Sequence, residues 1–421
     1  MSTTTSARAR RRRALLCMAL GAGACSHRSP TPSSAPPPAD DEAAFARALE
    51  TLVTRDVPVR DAEVPAPHRG SLLRAGVSAE GLAGRPTLRW EQAGSTTGIH
   101  SMAVDADAVY AGTKTGALLA MTRAEGATRW EFSEPRPDRA RPDGACTRTR
   151  GPPRGFNVPP AFWRSTLLAV GHSGTLYMLD RETGALLWYF HEYDARLLTP
   201  AIVDDVAYVA VDDRVLALDL ITREPRWSAS SPEFFTWPGP ALQGGVLYIG
   251  DFEGALTAFA TDDGVAQWRF PTEGFVTAGP ALAGELAYFA NSKGTLLAVD
   301  ARWGAERWRQ PLSAEPLMGL VVDDARVYAI AVRDATVVAV DRETGAPRWS
   351  TKIAARAVHS QTLAGDTLLV GDSEGYLRAL DRERGALRWS YQAPGPILAA
   401  PIVDAGQVYI GTDYGRVLAL E

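Results

Sequence analysis

The chain has 421 residues, of which 46% are hydrophobic and 22% charged, with a net charge of −5. That length holds two or three ordinary domains or one large closed β architecture, and the apolar content is ample for a sizeable core. The acidic balance argues against nucleic acid as a partner, and no apolar run approaches the roughly 18 residues of a membrane-spanning helix.

Residues 1–24 read as a targeting segment. Arg8 and Arg10 to Arg13 precede the apolar run ALLCMALGAGA, the layout of a secretory signal peptide. Ala22-Gly23-Ala24 suits ordinary signal peptidase. Cys25 directly after it suits lipidation, and the segment resembles a bacterial lipoprotein signal, with Ala22 where that pattern has Leu. Cutting at this bond removes five positive charges and no negative one, which takes the net charge from −5 to −10. Lipidated Cys25 would hold the protein on the periplasmic side of the outer membrane, Ser26 being compatible with that sorting. Ordinary cleavage would leave it soluble in the periplasm.

Residues 25–39 form a Pro/Ser-rich tether. Residues 40–83 are predicted as a short helix over 40–55, where apolar spacing is helical, followed by a Pro-containing linker. From residue 84 a phrase repeats: YMLDRETGALLW, LAVDARWGAERW, VAVDRETGAPRW and RALDRERGALRW. The series of tryptophans is Trp90, Trp130, Trp188, Trp227, Trp268, Trp308, Trp349 and Trp389, with spacings near 40 except for one of 58. A period near 40 with several short strands per unit marks a repeat architecture.

One unit, residues 236–270, resolves into four short antiparallel strands, one blade of a propeller. Prolines at 160, 200, 240, 280 and 401 begin the first strands. Proline donates no ladder hydrogen bond, so the first strand is the innermost and the Trp strand the outermost. Gly126, Gly184, Gly264, Gly304, Gly345 and Gly385 lie four residues before a Trp and suit a turn with positive φ. Asp180, Asp219, Asp300, Asp341 and Asp381 suit carboxylate bonding to the N–H groups of those turns. Eight second strands are readable. The last unit ends at RVLALE without a Trp strand, and TLRWEQ at 87–92 is a Trp strand without a unit. The expectation is an all-β, eight-bladed propeller over 84–421 whose N-terminal strand completes the last blade.

The spacing of 58 places an Arg/Pro-rich insertion at 133–157, with Cys146 as an incidental thiol. His27, His68, His100, His172, His191 and His359 have no metal-ligand spacing. No structural disulfide is expected from Cys17, Cys25 and Cys146.

The pattern A/L-x-D-x-x-T-G-x-x-x-W resembles the tryptophan-docking repeat of PQQ-like, quinoprotein-type propellers over roughly 84–421, with Arg223 where unit three should have Gly. That resemblance implies tryptophans packed between blades, for Trp188, Trp268, Trp349 and Trp389 in particular. Quinoprotein alcohol dehydrogenases of this superfamily carry an adjacent Cys-Cys pair and a Ca²⁺ site, and neither can be assembled here. No catalytic, cofactor or metal residue is therefore predicted. A tethered, non-catalytic, eight-bladed chain is similar to the BamB family of outer-membrane assembly factors, which implies a monomer whose partner is the β-barrel assembly core. The alternatives are a periplasmic propeller sensor or scaffold with another partner and, further off, a quinoprotein dehydrogenase.

Alternating strand direction puts the hairpins between second and third strands on the same face as the connections between blades. The residues expected to contact a partner there are His191, Tyr193, Arg196, Phe234, Phe235, Trp237, Asp251, Glu253, Asp372 and Glu374. Aromatic anchors amid charge are the composition of a protein interface.

Overall fold

The computed structural model describes residues 46–47, 49–54, 59, 77–78, 82, 84–93, 97–135, 155–171, 173–192, 195–232, 235, 239–353 and 357–421. Cys25, the tether and most of the insertion with Cys146 lie outside these residues.

Among the described residues the strands form eight antiparallel four-stranded units. Blade 1 is built from Ile99–Val104, Ala108–Thr113, Ala117–Thr122 and Thr128–Ser133. Blade 2 has Ala161–Trp163, Thr166–Gly171, Thr175–Asp180 and Leu186–His191. Blades 3 to 7 follow in the same order, with outer strands Pro225–Ser230, Ala266–Pro271, Glu306–Pro311, Pro347–Lys352 and Leu387–Gln392. Blade 8 takes Ile402–Asp404, Gln407–Gly411 and Arg416–Leu420 from the C-terminal end, and Leu88–Ala93 closes it as the outer strand. Thr87 and Glu421 exchange two backbone hydrogen bonds of 2.8 and 2.9 Å at the joint. Closure satisfies a sheet edge that would otherwise be open to pairing with another chain. The fold is the expected eight-bladed propeller.

First strands of most successive blades touch one another around the centre. Ala161, Ala201 and Ala241 start three of them directly after Pro160, Pro200 and Pro240. Second and third strands are almost wholly buried, so the core is a ring of clusters, each shared by two blades.

A cross-strand row explains how neighbouring blades lock. In blade 4, Ala241 pairs with Tyr248, Tyr248 with Ala258, and Ala258 with Trp268. The alanine leaves room for the Tyr and Trp rings to meet above it, with centroids 5.7 Å apart. A bulge just before the Trp recurs in every third-to-outer strand pair. Both polar ends then reach the next blade: Trp268 Nε1 and Tyr248 Oη donate to the Ala301 carbonyl at 3.1 and 3.0 Å. Tyr–Trp ring pairs recur in blades 1, 3, 5, 6 and 8.

Six indoles, Trp90, Trp130, Trp227, Trp268, Trp308 and Trp349, donate to the turn carbonyl of the following blade. Each lies over that turn's glycine. At Gly264, with φ of 72°, a Cβ would meet the Trp227 ring at 2.5 Å, so only glycine serves both the turn and the contact.

Trp188 and Trp389 depart from the expected docking. Both lean on the clusters of their seams, but neither indole has an acceptor among the described residues. After Trp389 the next blade has no such turn, because its outer strand is Leu88–Ala93 from the other end of the ring. After Trp188 the turn residue is Arg223, which holds the left-handed conformation (φ 67°) with a side chain in the glycine's place. The tyrosine is missing from both blades too, with Leu168 and Leu369 standing in its position.

The aspartates of the outer turns act as the sequence suggests. Asp341 Oδ1 accepts from the N–H groups of Glu343 and Thr344 at 3.1 and 2.9 Å, and its Oδ2 takes Arg348 at 2.5 Å. Of the predicted helix, residues 46–47 and 49–52 are described, and they are helical. Val77–Ser78 pairs in parallel with Leu363 and Ala364 on the inner strand of blade 7.

Candidate functional site

The hairpin and connection face is organised in five blades from the first residue of the hairpin. Asp251 Oδ1 accepts from Ala255 N at 2.9 Å, Asp372 Oδ1 from Glu374 N and Tyr376 N at 3.0 and 2.8 Å, and Asn291, Thr113 and Thr412 do the same in their blades. Side chains that cap the turn of their own hairpin point into it. Asp251 and Asp372 are accordingly fully buried, and their second oxygens hold Arg269 and Arg378 at 2.9 Å each. Burial pushes the Asp251 carboxyl up from its ordinary value, against the pull of the turn N–H groups and Arg269. Both residues stand on the expected face, but as internal supports rather than contact groups.

Phe235 is also enclosed, at 1% exposure. It forms a backbone bridge with Asp251, its N–H donates to Asp212 O at 2.8 Å, and its carbonyl accepts from Arg196 Nη2. Arg196, Phe235 and Asp251 thus come together where blades 3 and 4 meet. Burial lowers Arg196 to about 10. Tyr193, Phe234 and Trp237 lie outside the described residues.

What this face offers outward is a strip the sequence reading only half assembled. The Arg196 guanidinium lies 5.5 Å over the Phe252 ring, and Phe252 lies 5.7 Å from Phe275. All three are half-buried. Exposed Glu253 pairs with Arg269 at 3.7 Å, and Glu273 reaches Lys293 and Arg309 at 3.8 and 3.7 Å. Glu374 is exposed beside Tyr376, whose ring carries Arg378 at 4.7 Å. Tyr414 is 66% exposed on the blade 8 hairpin. Phe275, Arg269 and Tyr376 were missed because each sits on a connection or strand end whose direction depends on the closed ring.

His191 belongs to a separate group. Its Nδ1 is 2.8 Å from Thr175 Oγ1, Thr175 is 2.9 Å from Ser173 Oγ, and Ser173 bonds Glu134. Tyr177 also donates to Glu134 at 3.1 Å, while Glu134 Oε2 is buried with no partner among the described residues. Desolvation pushes the Glu134 carboxyl above its ordinary value. The hydroxyls of Ser173 and Thr175 thus lie between the Glu134 carboxyl and the His191 imidazole and link them in a hydrogen-bonded row.

A quinone–Ca²⁺ site does not fit the residues present. The sequence has no adjacent cysteine pair. Among the described residues, no three His, Cys, Asp or Glu side chains are grouped to hold a metal ion.

Comparison with known proteins gives the family. The family model described as "Outer membrane protein assembly factor BamB" matches residues 87–189, 172–355 and 298–421. A stretch of 122 residues, 24% of the chain, is 34% identical to the serine/threonine-protein kinase AfsK of Streptomyces griseus, covering 15% of that protein. Another of 125 residues, 29% of the chain, is 31% identical to BamB of Salmonella typhimurium, covering 31% of it. The chain thus spans less than a third of the length of these curated relatives. Among solved structures, BamB from Moraxella catarrhalis superposes with a TM-score of 0.63 at 19% identity, over 80% of this chain and 100% of that one. Quinohemoprotein alcohol dehydrogenase from Comamonas testosteroni superposes with 0.68 at 13% identity, over 90% and 84%. At such identities these superpositions establish the fold alone. With the family model spanning every blade, the chain belongs to the PQQ-like propeller family of the outer membrane protein assembly factor BamB.

Proposed function

We propose that this protein is a non-catalytic binding scaffold, a BamB-like lipoprotein held by Cys25 on the periplasmic side of the outer membrane, and that it supports assembly of outer-membrane β-barrel proteins. The observation that carries the reading is the Arg196–Phe252–Phe275 strip with its fringe of ion pairs. Aromatic rings and an arginine on a braced surface, ringed by charge, have the composition of binding hot spots. Family membership supports a partner of one kind, the barrel-assembly core. The stretch similar to a serine/threonine-protein kinase favours a second reading, a periplasmic propeller scaffold or sensor for another partner.

The test is affinity purification of the full chain from membranes, comparing wild type with a Phe252→Ala, Phe275→Ala variant. Anchors of this type contribute about 2 kcal/mol each, so recovery of the assembly core should fall more than tenfold while circular dichroism stays native. Recovery of a different protein, lost in the same variant, selects the sensor reading. Alcohol oxidation on adding PQQ and Ca²⁺ would overturn the non-catalytic assignment.

A further inference from the structure

Blade 2 differs from the other blades at its outer strand as well as at its seam. The residues flanking the outer-strand Trp are Arg89/Glu91, Arg129/Glu131, Arg226/Ser228, Gln267/Arg269, Arg307/Arg309, Arg348/Ser350 and Arg388/Ser390 in seven blades. In blade 2 they are Leu187 and Tyr189, within the strand LLWYFH. Leu186 and Leu187 are each 2% exposed, on a rim where the equivalent arginines face water.

What covers this rim is the N-terminal segment. Leu49 is fully buried in the cluster shared by blades 1 and 2, beside Tyr110, Trp130 and Leu186. Val53 forms a parallel bridge with Leu186, and Thr54 N donates to Leu186 O at 2.6 Å. Val59 packs on the next cluster, shared by blades 2 and 3, with Trp163, Leu187 and Trp188. The segment therefore has footholds on both sides of blade 2. Between them lies a cleft of about 570 Å³ bounded by Glu50, Val53, Trp188, Tyr189 and Arg223. At this seam, as at the one after Trp389, the tyrosine and the docking glycine are missing and the indole has no acceptor among the described residues. The apolar exceptions, the missing staple and the covering segment coincide at one blade.

We propose that the outer strand of blade 2 is a docking edge for the chain's own residues 49–54 and Val59, which brace the blade 2–blade 3 seam where the tryptophan staple is lacking. Backbone pairing at Leu186 sets their register, and Leu49 and Val59 supply the apolar grip. This strap is independent of the partner proposed above.

Two full-length variants test it. Leu187→Arg with Tyr189→Ser installs the pair found in blades 3, 6 and 7, residues that such a strand accommodates elsewhere in the ring. Leu49→Asp leaves the blade untouched and removes the grip from the other side. Both should raise the rate of tryptic cleavage after exposed Arg47 at least tenfold, and speed hydrogen exchange at the Trp188 and Tyr189 amides, with near-ultraviolet circular dichroism still native. Unchanged cleavage and exchange in either folded variant would overturn the strap. Loss of the whole fold in Leu49→Asp would also overturn it, by making the segment an integral core element.

Discussion

At the scale of single residues, the ring depends on what lies between two aromatic side chains. Ala258 lets Tyr248 and Trp268 meet and send both polar ends to one carbonyl of blade 5. Truncating such an aromatic removes packing and a hydrogen bond together, so Trp268→Ala should cost about 3–5 kcal/mol in chemical denaturation. Trp188→Ala should cost clearly less, since Met178 fills the alanine position and no glycine lies beneath the indole. Equal losses at the two positions would show that the staple does not depend on the row. The tryptophan series was legible in the sequence, whereas its failure at Trp188 required three positions, 168, 178 and 223, to be read together across strands and blades.

At the scale of turns and hairpins, each acid answers to its place in the element. The outer-turn carboxylates of Asp219 and Asp341 are held down to about 2, Asp219 chiefly by the Thr222 N–H and Asp341 chiefly by Arg348. A folded pKa below the ordinary 3.8 gives stability that is fully present above about pH 4 and is lost as pH falls toward 2. Because these pairs are exposed, salt should weaken the effect. Thermal melts from pH 5 to 2 should drop less steeply in an Arg226→Ala, Arg348→Ala variant than in wild type. Glu134 has the opposite sign: its raised pKa makes it a cost that grows as pH rises through the folded value. The turn acids could be placed from the phrase D-x-x-T-G alone. Asp251 and Asp372 could not, because the same residue type serves a docking surface or caps its own hairpin according to which way the strand end points.

At the scale of the whole molecule, stability rests on closing a circle whose ends are far apart in sequence. Leu88–Ala93 pairs with Arg416–Leu420, and Trp90 carries the staple across to blade 1. Deleting residues 84–92 should leave the outer edge of the last blade unpaired and remove one of the six staples. The expected outcome is aggregation or loss of a single cooperative unfolding transition, seen by light scattering and calorimetry. A monomeric deletion variant with an unchanged melt would refute ring closure by this strand. Closure was legible because one Trp strand lacked a unit and one unit lacked a Trp strand. The face the ring presents was less so, since its aromatic strip joins residues from three separate units.

The grip of Leu49 and Val53 on blade 2 also bears on how such a ring would hang. From Cys25 to the first described helical residue there are about 21 residues, a leash of at most about 75 Å. Under the lipoprotein reading proposed above, such a leash would join the ring at its rim, at blade 2, and at neither flat side. Rim attachment would leave the face that carries the aromatic strip clear of the anchor and open to a partner.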